Sequence, residues 1–237
     1  MSGIVPRLMV LIAAVTAGAV AVAGAAVAMW GDAAVGFLAA VTLLAVVSEV
    51  FDFAPFPNCR VSLSIALILA AGTLEGLQGV VVVAPAAAAA DCAVHRKPAA
   101  RAVYNAATLV LSGAAFVAVL EALGPLYNGS NLGETLGPAL AGSIAAYAVN
   151  SGLVAMAIAL QTGESAVRAW DERFRWLLPH YVLLGAIAVF TAFAYDRWEL
   201  AGIAVVIAPL AASWLIIKQF ARRTRTATGA AGSAPHS

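Results

Sequence analysis

"DCAVHRKPAARAVYN", residues 91–105, is a knot of polar and charged groups set between two runs apolar enough to lie in lipid. Whether the knot is a connecting loop or a site decides how the rest of the chain is read. Across 237 residues, 63% are hydrophobic and only 11% charged, and the mean hydropathy is +0.94. Soluble domains carry about 45–50% apolar and about 25% charged residues. The composition therefore reads as an all-α, polytopic transmembrane helical bundle. Repeated apolar stretches with short connections leave no room for a separate soluble domain, so residues 1–223 read as one integral membrane domain. The polar stretch 224–237 has no apolar periodicity and reads as a disordered cytoplasmic tail. A net charge of +1, with the basic residues clustered between apolar runs, argues against a nucleic-acid partner. Cys59 and Cys92 have neither C-x-x-C nor zinc-like spacing, so no disulfide framework and no metal or other cofactor is expected.

A helix crossing about 30 Å of hydrocarbon needs about 20 apolar residues. Eight segments approach that requirement: 8–30, 34–52, 61–74, 77–95, 102–123, 136–161, 178–196 and 198–219. The third, "VSLSIALILAAGTL", is fourteen residues and covers only about 21 Å as a helix, so it is either a short tilted span or a re-entrant segment. The first is longer than the apolar core of a signal peptide.

Basic residues in short loops favour the cytoplasmic side. If all eight segments cross with the N-terminus inside, every Lys and Arg except Arg197 is cytoplasmic. If the third turns back instead, Arg7 and Arg60 join Arg197 outside. The first arrangement fits better, and it puts both termini in the cytoplasm. The outer loops then carry Asp32, Glu75, Glu121 and Glu134. In this frame "HRKPAAR" is an inner loop. Its cations Arg96, Lys97 and Arg101 are first of all topology signals facing anionic headgroups, with contact to a lipid phosphate or an acidic partner as the alternative.

A second inner loop, "GESAVRAWDERFRWLLPHY", spaces Val167, Trp170, Phe174 and Leu177 at steps of three, four and three, one face of an α-helix. Glu164 with Arg168 and Asp171 with Arg175 are i,i+4 acid-to-base pairs, each worth about 0.2–0.5 kcal/mol. An amphipathic helix over about 164–177, lying in the cytoplasmic interface with Arg168, Arg173 and Arg175 at headgroup level, follows. It serves either as an anchor for its neighbours or as a lever that transmits a signal.

Ionisable and amide groups at membrane depth are costly and turn toward the bundle interior or a water-filled cavity. Glu49, Asp91, Asn105, Asn150 and His180 all fall in the inner half of the expected membrane. Together they can line a cavity open to the cytoplasm and bind a small metabolite, a headgroup or a proton. Alternatively, Glu49, Asp91 and His180 snorkel to the interface and Asn150 makes an interhelical hydrogen bond. Asp91 and His95, spaced i,i+4, lack the second pair that a metal site would need. No nucleophile elbow, phosphate-cradling glycine loop or H-E-x-x-H is present, so no catalytic residue is assigned.

The succession "RVSLSIALILAAGTLEGLQGVVVVAPAAAAAD", "VYNAATLVLSGAAF", "AVNSGLVAMAIALQTG", "WDERFRWLLPHYVLLGAIAVF" and "APLAASWLIIKQFARRTR" resembles the multi-helix N-terminal membrane module of bacterial HD-domain phosphohydrolase and diguanylate-cyclase signalling proteins. It is more loosely similar to the substrate-binding membrane subunits of energy-coupling-factor transporters. The first resemblance spans about residues 60–223 and rests on Asn105, Asn150, "PHY" and Pro209. It implies a sensory bundle read by a separate cytoplasmic signalling partner, because "TRTATGAAGSAPHS" takes the place of the catalytic domain. The second implies a transporter subunit working with an ATPase pair. The expected role is thus a non-catalytic sensory or ligand-binding module, with a transporter and a membrane-embedded lipid enzyme as alternatives.

Overall fold

The computed structural model describes residues 4–31, 34–51, 53–56, 59–61, 63–124 and 127–231, with only the backbone path for 4–5, 51, 53–56, 59–61 and most positions after Ile203. Among them are seven α-helices: α1 (Ile4–Ala28), α2 (Val35–Ser48), α3 (Ser64–His95), α4 (Ala99–Leu123), α5 (Leu132–Thr162), α6 (Ala166–Arg173) and α7 (Leu178–Ala231). Five stretches are long and apolar enough to cross a membrane: Pro6–Ala28, Ser64–His95, Ala99–Leu123, Leu132–Thr162 and Arg175–Ile203. The chain is a multi-pass membrane protein. Helices are what such apolar runs must form in lipid, because only a closed internal ladder satisfies every backbone N–H and C=O there.

The eight separate segments expected from the sequence are not what is found. Segments 61–74 and 77–95 run together in α3, and 178–196 and 198–219 run together in α7, with no loop between the members of either pair. Each long helix is instead interrupted at one residue, Gly76 (φ 59°, ψ −141°) in α3 and Glu199 (φ 50°, ψ −134°) in α7. These are the angles of the first central residue of a type II′ turn, a position that favours glycine. A straight helix would hold residues 68 and 80 about 18 Å apart. Yet a Cβ on Gly113 would lie 2.5 Å from Val80 and 3.2 Å from Ile68, so α3 folds back on itself at Gly76.

The same device recurs in α7. Three residues after each break stands a glycine, Gly79 or Gly202, and a Cβ there would run into the carbonyl of Ala71 or Ala194, five residues before the break. Two stretches, "AGTLEGLQG" (71–79) and "AYDRWELAG" (194–202), thus build one turn twice. Hydropathy does not reveal such a turn, because one residue's dihedrals accomplish it.

Both breaks lie at one end of the bundle, with the α1–α2 and α4–α5 connections. There the Ala34 N–H donates to Glu75 Oε1 at 3.1 Å and Gln78 Nε2 donates to the Met29 carbonyl at 2.6 Å. At the opposite end are the α3–α4 turn, α6, and a two-stranded antiparallel ribbon of Phe53–Phe56 and Cys59–Val61 that the sequence reading did not anticipate. The ribbon follows α2 through a 3-10 turn at Glu49–Phe51. Prolines at 55 and 57 deny this stretch a helix. The helix of α7 continues to Ala231, so the tail expected over 224–237 starts within it, and 232–237 lie outside the described residues.

The core is built from close helix contacts. Phe37, Phe116, Leu67, Ile68, Leu120 and Leu184 are fully enclosed, and Ser112 Oγ donates across to the Ala146 carbonyl at 2.8 Å, tying α4 to α5. We expect Gly79→Ala to cost about 1–3 kcal/mol, the usual penalty for overpacking. Gly152→Ala, which meets nothing within 4 Å, should be neutral or better. Glu199→Gly should gain about 1 kcal/mol by relieving the positive φ. Thermal unfolding of the detergent-solubilised protein checks all three, and an unchanged or lowered midpoint for Glu199→Gly would contradict the turn geometry.

Candidate functional site

A cavity of about 620 Å³ opens at the end of the bundle opposite the two helix breaks. Glu49, Asp91, Asn105, Asn150 and His180 all line it, contributed by five different stretches of chain. The i,i+3/i+4 logic of a single helix cannot bring these together. The fold-back of α3 and the antiparallel run of α4 and α5 do.

Asp91 is the hub. Its side chain is 7% exposed, and its carboxylate accepts from Lys97 Nζ at 2.6 and 2.5 Å and from Asn105 Nδ2 at 3.1 Å. His95 Nδ1 lies 3.1 Å from both the Asp91 carboxylate and the Asp91 carbonyl. Lys97 reaches back because α3 ends at Arg96 in the left-handed conformation (φ 50°, ψ 43°), with the Lys97 N–H donating to the Cys92 carbonyl. Lys97, read from the sequence as a headgroup cation, is therefore turned inward with its side chain 16% exposed. Asn105 is committed to Asp91 rather than left open to the cavity.

The second wall is an aromatic and amide set. Asn150 Nδ2 donates to Tyr181 Oη at 2.5 Å, and the rings of Tyr147 and Tyr181 meet edge-on at 5.4 Å. Tyr104 Oη donates to the Leu153 carbonyl at 2.7 Å, joining α4 to α5 beside the cavity. His180 differs from its neighbours, because its Nε2 is enclosed and has no hydrogen-bond partner among the described residues. Glu49 is buried and hydrogen-bonded or paired. Tyr104, Ser151 and Tyr181 are lining residues that the sequence reading missed. Tyr104 adjoins Asn105, and Ser151 adjoins Asn150 in an otherwise alanine-rich helix, so polar clustering within one turn was the available signal.

The amphipathic stretch closes one side. It is an eight-residue helix, α6, followed by a 3-10 turn at Arg175–Leu177, not one helix over 164–177. Phe174 and Leu177 are buried and line the cavity, while Val167, expected on the same face, points outward at 75% exposure. Trp170 Nε1 donates to Ser151 Oγ at 2.9 Å, and Tyr147 Oη donates to the Phe174 carbonyl at 3.0 Å. The Asp171–Arg175 pair forms at 3.2 Å. The expected hydrogen-bonded pair of Glu164 with Arg168 does not form, because Glu164 precedes the helix start at Ala166. Arg168 instead meets Glu172 at 2.7 Å, and Glu164 takes Arg173 at 2.5 Å. That hydrogen bond from Arg173 holds the Glu164 carboxyl below the ordinary glutamate range.

Arg96 and Arg101 remain exposed at the rim, and Arg101 lines the cavity. Among the described residues, no three His, Cys, Asp or Glu side chains are grouped as a metal site requires. Asp91 and His95 do meet, but Lys97 already neutralises that carboxylate. Comparison with known protein families, with curated proteins and with solved structures finds no match for this chain.

Asp91→Asn strands the Lys97 ammonium. It should cost about 2–3 kcal/mol, somewhat less than for a fully buried pair because Lys97 is partly wet. Adding Lys97→Gln should restore most of the loss, so a double-mutant cycle on thermal unfolding should give a coupling above about 1 kcal/mol. Additivity would deny the pair. A depressed Glu164 pKa means that its contribution to docking α6 is present above the ordinary glutamate range and is lost as pH falls through the folded value. Trp170 fluorescence should therefore shift on acidification below the ordinary glutamate range, and Glu164→Gln should remove that step.

Proposed function

We propose that this chain is a non-catalytic ligand-binding module that holds a small molecule in a cavity opening toward the cytoplasmic face of a bacterial plasma membrane. The observation that carries this reading is the convergence of Glu49, Asp91, Asn105, Asn150 and His180 on one cavity of about 620 Å³. Small-molecule sites span about 300–1,000 Å³, with mostly apolar walls and a few convergent polar groups. Polar side chains at membrane depth are costly enough that five on one cavity favour a functional use.

Orientation is supported by charge. Arg96, Lys97, Arg101, Arg168, Arg173 and Arg175 gather at the cavity end, whereas Arg197 stands beside the Glu199 break at the other. The positive-inside rule makes the first end cytoplasmic. In this reading the two halves of α3 and of α7 each run between the ends of the bundle.

A sensory role agrees with the resemblance to the membrane modules of HD-domain and diguanylate-cyclase proteins. It also agrees with α6, whose Trp170 and Phe174 connect the cavity wall to an exposed basic surface that a cytoplasmic partner can read.

Two measurements test this. In a Cys59→Ala, Cys92→Ala background, Gly31→Cys and Trp198→Cys should react with an impermeant maleimide in intact cells, and Val94→Cys and Val167→Cys only after permeabilisation. The reverse pattern would invert the protein. Native mass spectrometry of the purified chain should find a small-molecule adduct that Val154→Phe, which fills the cavity, removes, and vesicles containing the protein should show no flux of that molecule. Flux would favour a transporter, and absence of any adduct would remove the ligand-binding reading.

A further inference from the structure

The charges around the cavity are unequally committed. Four full charges line it: Glu49, Asp91, Lys97 and Arg101. Lys97 is bound to Asp91, and Glu49 is buried at 4% exposure with a partner of its own. Arg101 is exposed on the rim and makes no hydrogen bond or ion pair among the described residues. Within α4 its neighbours at i+3 and i+4 are Tyr104 and Asn105, and the connection just before the helix supplies only Arg96, Lys97 and Pro98, so the adjoining chain offers it no acid. An arriving cation would have to displace Lys97 from a carboxylate it already grips with two contacts, whereas an arriving anion finds a guanidinium with its donors open.

The rest of the cavity is apolar on one side. Leu8 and Ile12 of α1, Leu109 of α4, Val154 and Ile158 of α5 and Leu184 of α7 line it. Of the five long apolar helices, α1 is the least buried against the bundle, so the wall it supplies faces lipid on its other side. The Asn150–Tyr181 pair adds hydrogen-bonding capacity to the lining. A hydrophilic anion would leave the apolar wall unused, and a plain hydrocarbon would leave Arg101 unmet.

We infer that the ligand is an amphiphile carrying one phosphate or carboxylate, with the anionic group held by Arg101 at the rim and the apolar body lying along α1, α4 and α5. The site takes such a molecule from the inner leaflet, past α1, or from solution through the rim. This inference rests on the ligand-binding reading above and specifies its chemistry.

The test uses the full chain in phosphatidylcholine nanodiscs, with tryptophan fluorescence reporting from Trp170 and Trp176 beside the cavity. Dodecyl phosphate should bind saturably. Arg101→Ala should weaken it by roughly tenfold or more, the scale of one charge-assisted contact, and Arg101→Lys by less. Arg197→Ala, at the opposite end, should leave it unchanged. Dodecanol and inorganic phosphate alone should show no saturable binding in the same range.

Equal binding of dodecanol, or indifference to Arg101→Ala, would overturn the anionic half of the inference. Inorganic phosphate binding as tightly as dodecyl phosphate would overturn the apolar half and identify a soluble phosphate as the source. Failure of every probe while the copurified adduct persists would overturn the ligand class and leave the cavity's role standing. Failure of both would remove the two together.

Discussion

A carboxylate at membrane depth has to find its counter-charge inside the protein, and Asp91 finds it in Lys97. Solvating either ion alone in hydrocarbon costs several kcal/mol, so the pair fixes more than two side chains. It pins the last turn of α3 to the residue just beyond it, and through Asn105 it ties both to the second turn of α4. The α3–α4 connection is only three residues long. Within it Arg96 takes a left-handed conformation that costs an ordinary side chain about 1–2 kcal/mol, and the ion pair it makes possible offsets that strain. "DCAVHRKPAARAVYN" is therefore both a turn and a wall of the cavity.

Membrane location, helical class and the polar residues that line the cavity were legible in the sequence. Composition and mean hydropathy speak directly to the energy of transfer into lipid. Five positions, Glu49, Asp91, Asn105, Asn150 and His180, stood out because a polar group in an alanine and leucine run has no local reason to be there. What they do to one another was not legible. Asn105 is spent on Asp91, Asn150 on Tyr181, and Lys97 curls inward, all through contacts set by helix packing rather than spacing.

The segment count failed for a related reason. A window of apolar residues registers length, and the reversals at Gly76 and Glu199 occupy one residue each, so the pairs that hydropathy separated turn out to be single interrupted helices. Residue patterns do carry the turn, as an alanine five before and a glycine three after each break, but that signature is visible only once the carbonyl contact explains it. Around α6, ideal i,i+4 spacing misassigned Glu164 because the pairing rule holds only inside a helix, and α6 starts two residues later at Ala166. The short ribbon at 53–61 left no alternation to read.

An alanine-rich bundle would ordinarily be expected to collapse on any empty space, since small side chains let helices approach closely. Beyond the cavity they do approach. Gly142 sits where a Cβ would lie 2.8 Å from the Phe116 carbonyl, and Gly185 where one would lie 2.8 Å from Ser143. Those contacts stop where the cavity begins. There the helices meet through Tyr104 to Leu153, Asn150 to Tyr181 and Trp170 to Ser151, with long side chains as spacers and hydrogen bonds at their tips. Closing the gap would require breaking those bonds in a medium that offers no replacement, which costs more than the dispersion energy regained by closer packing. The polar ring thus keeps the helices apart at one end while glycines bring them together toward the other, and the taper between the two is what leaves room for a ligand.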